Sequence, residues 1–148
     1  MSYDFETTEK RSNIMKKIRS TDTKPEIKLR KALWHQGYRY RKNYKELPGN
    51  PDIAITKYNL AIFVDGEFWH GYNWEEKKEK ISSNRDYWIP KIEGNMERDE
   101  KYNQELKEMG WEILRFWATK EVENNLEKCV SIVEEKIKEM KNKDKIEE

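Results

Sequence analysis

Residues 60–64, LAIFV, are apolar at every position and run directly into Asp65. A run without alternation reads as a strand covered on both faces, so helices must lie on each side of the sheet that contains it. Just upstream, residues 52–56 read DIAIT, a second short strand, and Lys57, Tyr58 and Asn59 supply a turn between the two. WEILRFW, residues 111–117, is a further strand. The layering that LAIFV demands is that of an α/β domain with a small mixed sheet flanked by helices.

Helices are expected around these strands. Thr23, Pro25 and Glu26 form a helix start close to a capping box, and Ile27, Leu29, Ala32 and Leu33 carry the apolar stripe to about Gln36, with Gly37 ending it. YRYRKNY, residues 38–44, alternates aromatic and basic side chains and reads as a half-buried strand. Residues 66–85 have no clean period and read as a long loop. Apolar residues then recur at helical spacing from Asp86 to Met109, with a break expected near Pro90 and Gly94. A final amphipathic helix spans residues 119 to about 141. Residues 1–10 read as a flexible leader, 11–141 as a single domain and 142–148 as a frayed charged tail.

The chain has 148 residues, enough for one core, and is 40% charged yet 12% aromatic, with six tryptophans. The aromatic content argues for a folded chain, because disordered segments lack side chains able to offset ordering entropy. One cysteine, Cys129, excludes an internal disulfide and a cysteine-based zinc cage. No apolar stretch is long enough to span a bilayer and no apolar signal region follows Met1, so a cytoplasmic protein is the expectation.

The net charge of +1 conceals an asymmetry. Residues 11–45 hold twelve Lys or Arg against Asp22 and Glu26 alone, whereas residues 91–148 hold twelve basic and sixteen acidic residues. A basic lobe of that density suits a phosphate backbone, since neutralising phosphates releases counterions; a solvated helical surface is the bland alternative. Lys16, Lys17, Arg19, Lys24, Arg39, Arg41 and Lys42 are the candidate phosphate contacts, the first three in a short basic helix expected from Arg11 to Arg19.

Acids mark the strand ends. Asp52 opens one strand of the hairpin and Asp65 closes the other, so the two should sit side by side. Two carboxylates held that close repel unless a cation lies between them, and a hard divalent ion such as Mg²⁺ suits oxygen ligands; turn capping is the alternative role. Glu67, two residues beyond Asp65, is a further candidate ligand. Pro-Asp followed by Asp/Glu-x-Lys marks metal-dependent nucleases, although here the second element is DGE with no lysine after it. His70 follows these acids and is able to accept a proton from water near neutral pH. His35, the other histidine, is assigned no role.

Several blocks in order, TKPEIKLRKAL, GYRYR, LPGNPDI, IFVDGEFWH, NRDYWIPKIEGNMERD and LKEMGWEILRFW, resemble the very-short-patch repair (Vsr) endonucleases over roughly residues 11–118. The resemblance implies a restriction-endonuclease-like α/β core of the PD-(D/E)xK type and Mg²⁺-dependent nicking of double-stranded DNA beside a T:G mismatch. It implies metal binding by Asp52 and general-base catalysis by His70; the departure at Asp65 adds a carboxylate there, so Asp52, Asp65 and the Val64 backbone carbonyl are expected to hold one or two Mg²⁺ ions. Glu26 matches an acid that steadies that histidine. Phe68, Trp69 and Trp88 match aromatics that wedge between base pairs, with core packing as the alternative for these rings.

The chain also departs from the family pattern. His-Gly-Cys-Phe-Trp-His becomes Asp65-Gly66-Glu67-Phe68-Trp69-His70, and the later zinc-ligand positions fall near Tyr72, Trp74 and Thr119. The implied structural zinc is therefore not expected, and the loop from Gly71 to Arg85 must be held by Tyr72 and Trp74 or await DNA. A monomer in the bacterial cell interior, with no membrane partner, suits a nicking enzyme. A restriction or defence nuclease cutting both strands of matched DNA is one alternative. A DNA-binding module with a decayed site is the other.

Overall fold

A computed structural model describes residues 22–147, so the leader, the helix expected over Arg11–Arg19 and the contacts assigned to Lys16, Lys17 and Arg19 lie outside the described residues. Helix α1 (Lys24–His35) is followed by β1 (Arg41–Lys42), β2 (Ile53–Ile55), β3 (Leu60–Asp65), α2 (Trp74–Lys80), α3 (Arg85–Glu108), β4 (Glu112–Trp117), a π-helical turn (Ala118–Glu123) and α4 (Leu126–Glu147). The sheet order is β1-β2-β3-β4; the first two pairings are antiparallel and β3 pairs parallel to β4. This is the small mixed sheet with flanking helices expected of a restriction-endonuclease-like α/β fold.

β3 is covered on both faces because its alternate residues belong to two clusters. Leu60 and Ile62 join Leu29 and Leu33 of α1, Val133 and Ile137 of α4, and Ile53 and Ile55 of β2 in the main core. Ala61 and Phe63 face the other way, against Leu47 and Leu106 of α3. Alternation puts Asp65 on the Ala61–Phe63 side, the side α3 covers. The register pairs Phe63 with Arg115, which puts the arginine on that side as well.

Four expectations need correction. The YRYRKNY strand shrinks to Arg41–Lys42, because Asn43 takes a left-handed φ of 48° and turns the chain. Tyr38 and Tyr40 still pack on the main core, and the Tyr40 hydroxyl donates to the Arg30 carbonyl at 3.0 Å. The loop over 66–85 contains α2, a helix that buries none of its residues and so carries no apolar period. α3 runs unbroken through Pro90, which falls in the second turn and removes one hydrogen bond near the helix start while later turns stay intact. The last helical segment divides into the π turn and α4, and α4 continues to Glu147, past the limit its apolar stripe suggested. Among the described residues no helix is long and apolar enough to cross a membrane.

Candidate active site

The capping box at the start of α1 makes the first part of the site. Glu26 Oε2 accepts the Thr23 backbone N–H at 2.6 Å and the Thr23 hydroxyl at 3.1 Å, and the residue is 2% exposed. That cap brings a buried acid to Asp52 at the head of β2. Asp52 Oδ2 accepts the Val64 N–H of β3 at 2.7 Å, a bond that the hairpin register makes available. Burial, then the hydrogen bond and charge of Glu26 and the charge of Asp65, push the Asp52 carboxyl up to about 9 against the pull of the Val64 N–H. Without a cation, Asp52 therefore keeps a proton beside Glu26. A divalent ion is the natural replacement for that proton, so this donor set fits one.

Asp65 is buried on the α3 side, and its surroundings differ from those expected. Arg115 Nη1 donates to both of its carboxylate oxygens at 3.1 Å. The guanidinium also donates to Asn103 Oδ1 at 2.8 Å and lies 3.9 Å over the Phe63 ring. Burial raises the Asp65 pKa, opposed by the charges of His70 and Arg115. Asp65 thus already has a fixed cationic partner, which neither motif nor spacing revealed.

His70 sits on a helical turn held by its own N–H, which donates to the Gly66 carbonyl at 3.1 Å. Its Nδ1 lies 2.5 Å from Asp99 Oδ2 on α3 and 3.8 Å from Asp65. A carboxylate accepts, so Nδ1 carries the proton and Nε2 is left as the basic nitrogen. Burial pulls the His70 pKa down, but the Asp99 hydrogen bond and the charges of Asp65 and Asp99 outweigh it and leave it raised. The acid on His70 is therefore Asp99, while Glu26, assigned that task from the sequence, contacts Asp52. Asp99 is one acid among many in a charged helix, and its only signal was membership of the NRDYWIPKIEGNMERD block.

Asp65, His70 and Asp99 each bring one ligand atom within 4.8 Å of the others, a set that could hold a cation. The Arg115 charge against Asp65 weighs against one there. Glu67 takes no part in either group. Its carboxylate accepts the Thr119 N–H at 2.9 Å and the Lys120 N–H at 2.7 Å, tying the loop to the end of β4. Tyr72 packs edge-on against Trp117 at 5.1 Å, and the Trp74 indole donates to Glu93 at 3.4 Å. Packing thus holds the segment after Gly71.

Phe68, Trp69 and Trp88 form one aromatic cluster with centroid separations of 5.0, 5.4 and 5.7 Å. Tyr87 extends it at 4.9 Å from Trp88. Phe68 is 45% and Tyr87 55% exposed, so these rings form a rim and not a core. Asn95 fixes the rim by donating to the Trp69 carbonyl at 3.0 Å. Glu26, Asp52, Asp65, His70, Asp99 and the Phe68–Trp69 pair all line one open cleft of about 1200 Å³. Lys24 also lines it. Arg39 instead lies 3.6 Å over the Trp34 ring and donates to the Trp34 carbonyl at the far end of α1, and Arg41 and Lys42 are exposed on the edge strand β1.

Residues 3–76 match the family profile described as DNA mismatch endonuclease Vsr. A type II nicking enzyme from Neisseria meningitidis serogroup C is 49% identical over 118 residues, 80% of each chain. Another from Haemophilus parainfluenzae is 50% identical over 123 residues, 82% of this chain and 86% of that one. The DNA mismatch endonuclease Vsr of Escherichia coli is 36% identical over 107 residues, 72% of this chain and 68% of that one.

Proposed function

The chain belongs to the Vsr family of DNA mismatch endonucleases, and from that premise we propose that this DNA endonuclease nicks one strand of a duplex beside a T:G mismatch with the help of Mg²⁺. The observation that carries the reading is a single cleft in which the His70–Asp99 pair, the Asp52–Glu26 acids and the Phe68–Trp69 pair lie together, with Trp88 packed on Phe68. An exposed aromatic rim has a purpose beside a mismatch, because a mispaired step unstacks at lower cost and an inserted ring replaces lost stacking. The name of type II nicking enzyme carried by relatives favours one cut over two.

Asp52, with the Val64 backbone carbonyl, would hold one Mg²⁺, which when bound supplies Lewis-acid polarisation of the phosphate and charge for the leaving oxygen. Glu26, hydrogen-bonded to Asp52, keeps that carboxyl in place. His70 Nε2 takes the proton of the attacking water, and Asp99 holds the ring in the tautomer that makes this possible. Asp65 and Arg115 form a neutral buttress behind the pair. Lys24, with the basic residues preceding it, grips the backbone as a monomer.

The test is incubation with Mg²⁺ of matched and T:G-mismatched duplexes labelled on each strand in turn. Nicking of the mismatched T strand alone is expected. Cuts in both strands of matched DNA would instead indicate a restriction-type nuclease, and no cut in any duplex would indicate a binding module.

A further inference from the structure

Lysines on α2 are sorted by partner. Lys78 bonds Glu93 at 3.2 Å and Lys80 bonds Glu76 at 3.4 Å, whereas Lys77 is placed 5.2 Å from the Tyr72 ring and lines the cleft. Lys120, on the π turn, comes to the same ring at 6.0 Å and lines the same cleft. The acids near Lys120 in the sequence and at its amide each have a partner other than its ammonium group. Glu67 binds backbone amides, Glu121 accepts the Trp117 N–H at 2.9 Å, and Glu123 pairs with Lys28 at 3.7 Å. Among the described residues neither Lys77 nor Lys120 has a carboxylate within ion-pair distance.

Two ammonium groups from separate elements thus come to one ring, and among the described residues neither forms an ion pair with a carboxylate. Gathering like charges is unfavourable unless an external anion compensates it, and the ring's negative face only partly does so. The anchoring is firm: Tyr72 packs on Trp117, and Glu67 fixes the backbone amide of Lys120 itself. We propose that Lys77 and Lys120, gathered on Tyr72, form a clamp for DNA backbone phosphates directly beside the aromatic rim. The clamp rests on the reading of this cleft as a duplex-binding site. Phosphate contacts carry no base information, so the clamp serves matched and mismatched duplexes equally and holds the strand in register while the rim probes the step.

Equilibrium binding of the full chain to matched and T:G duplexes, measured by fluorescence anisotropy over a salt series without divalent ions, tests this. Each neutralised phosphate contributes about 0.9 to the slope of log affinity against log salt. K77A and K120A should each lower that slope by about 1 and the double variant by about 2, weakening both duplexes by the same factor. K77R and K120R should restore the slope, and K138A, on α4, should behave as wild type. Unchanged slopes in K77A/K120A with wild-type binding intact would overturn the clamp and leave the cleft reading standing. Failure of the wild-type chain to bind any duplex would overturn both. Should the double alanine variant not fold, the single K77Q and K120Q variants give the same reading.

Discussion

His70 and Asp99 lie 2.5 Å apart on segments separated by one helix, and that pair defines the proton chemistry. Asp99 raises the His70 pKa, and a general base must be neutral to act, so the acid limb of the rate profile follows His70. Asp99→Asn removes the charge and puts an amide that is able to donate against Nδ1, so the tautomer is no longer fixed. We expect cleavage to fall by ~10²–10⁴-fold and the acid limb to move to lower pH, measured as single-turnover rate against pH. A loss of rate with the limb unmoved would show that Asp99 acts only through folding.

Asp52 gives the opposite kind of dependence. Its carboxyl goes from an ordinary 3.8 to about 9 on folding. The folded chain therefore keeps a proton that the unfolded chain releases, and in the absence of cation stability declines as pH rises from near 4 through 9. Asp52→Asn removes that decline. At pH 8 without divalent ion the variant should melt above wild type by several degrees, at about 2–4 °C per kcal/mol, while cleaving nothing. Added Mg²⁺ should raise the melting temperature of wild type and leave that of the variant unmoved. The reverse order of melting temperatures would remove Asp52 from the cation site.

At the level of elements, the turn bearing His70 is held from behind by α3. Gly71 has φ 77°, and a β-carbon there would collide with the Met96 sulfur. Gly71→Ala therefore combines backbone strain with a clash and should shift the adjacent His70 and rim. We expect a loss of about 1–3 kcal/mol in stability together with a fall in nicking rate larger than any change in duplex affinity, read by thermal unfolding and single-turnover assay. Unchanged melting and rate would mean that α3 yields easily at this point.

The same elements show what a sequence discloses. LAIFV, DIAIT and WEILRFW stand out because their burial leaves an apolar pattern, and Thr23-Lys24-Pro25-Glu26 stands out because capping is local chemistry. Asp52, Asp65 and His70 were legible as strand-end polar residues. Trp74–Lys80 was not, since a helix that fully buries none of its residues carries no apolar stripe. Asp99 and Arg115 were not, because each is an ordinary charged residue in a chain that is 40% charged. Their meaning arises only when the parallel pairing of β3 with β4 lays α3 across Asp65. The role of Glu67, a candidate ligand by position, was hidden for a related reason: its partners are backbone amides of Thr119 and Lys120, and amides have no sequence signature.

For the whole molecule, α1 and the antiparallel hairpin supply Lys24, Glu26, Asp52 and Asp65, while Phe68, Trp69, His70 and Asp99 come from the chain between β3 and β4. That excursion leaves the sheet at Asp65 and returns to the neighbouring position, with Asp65 opposite Trp117. Parallel pairing across so long a separation is slow to form, because the loop must close before contacts reward it, whereas the β2–β3 hairpin pairs residues only a short turn apart. Refolding should therefore recover hairpin protection, seen by pulsed hydrogen exchange, before it recovers nicking activity; simultaneous recovery would show that the two halves nucleate together.

The adjoining ends of the excursion also give it a history of its own. A segment that departs and rejoins a sheet at neighbouring strands can be exchanged between relatives without disturbing the frame beneath it. The cation-binding acids belong to the frame, whereas the rim, the His70 base and Lys77 travel with the passage between the two strands. Lineages sharing this scaffold are free to change which DNA they attend to while inheriting the same cation-binding acids.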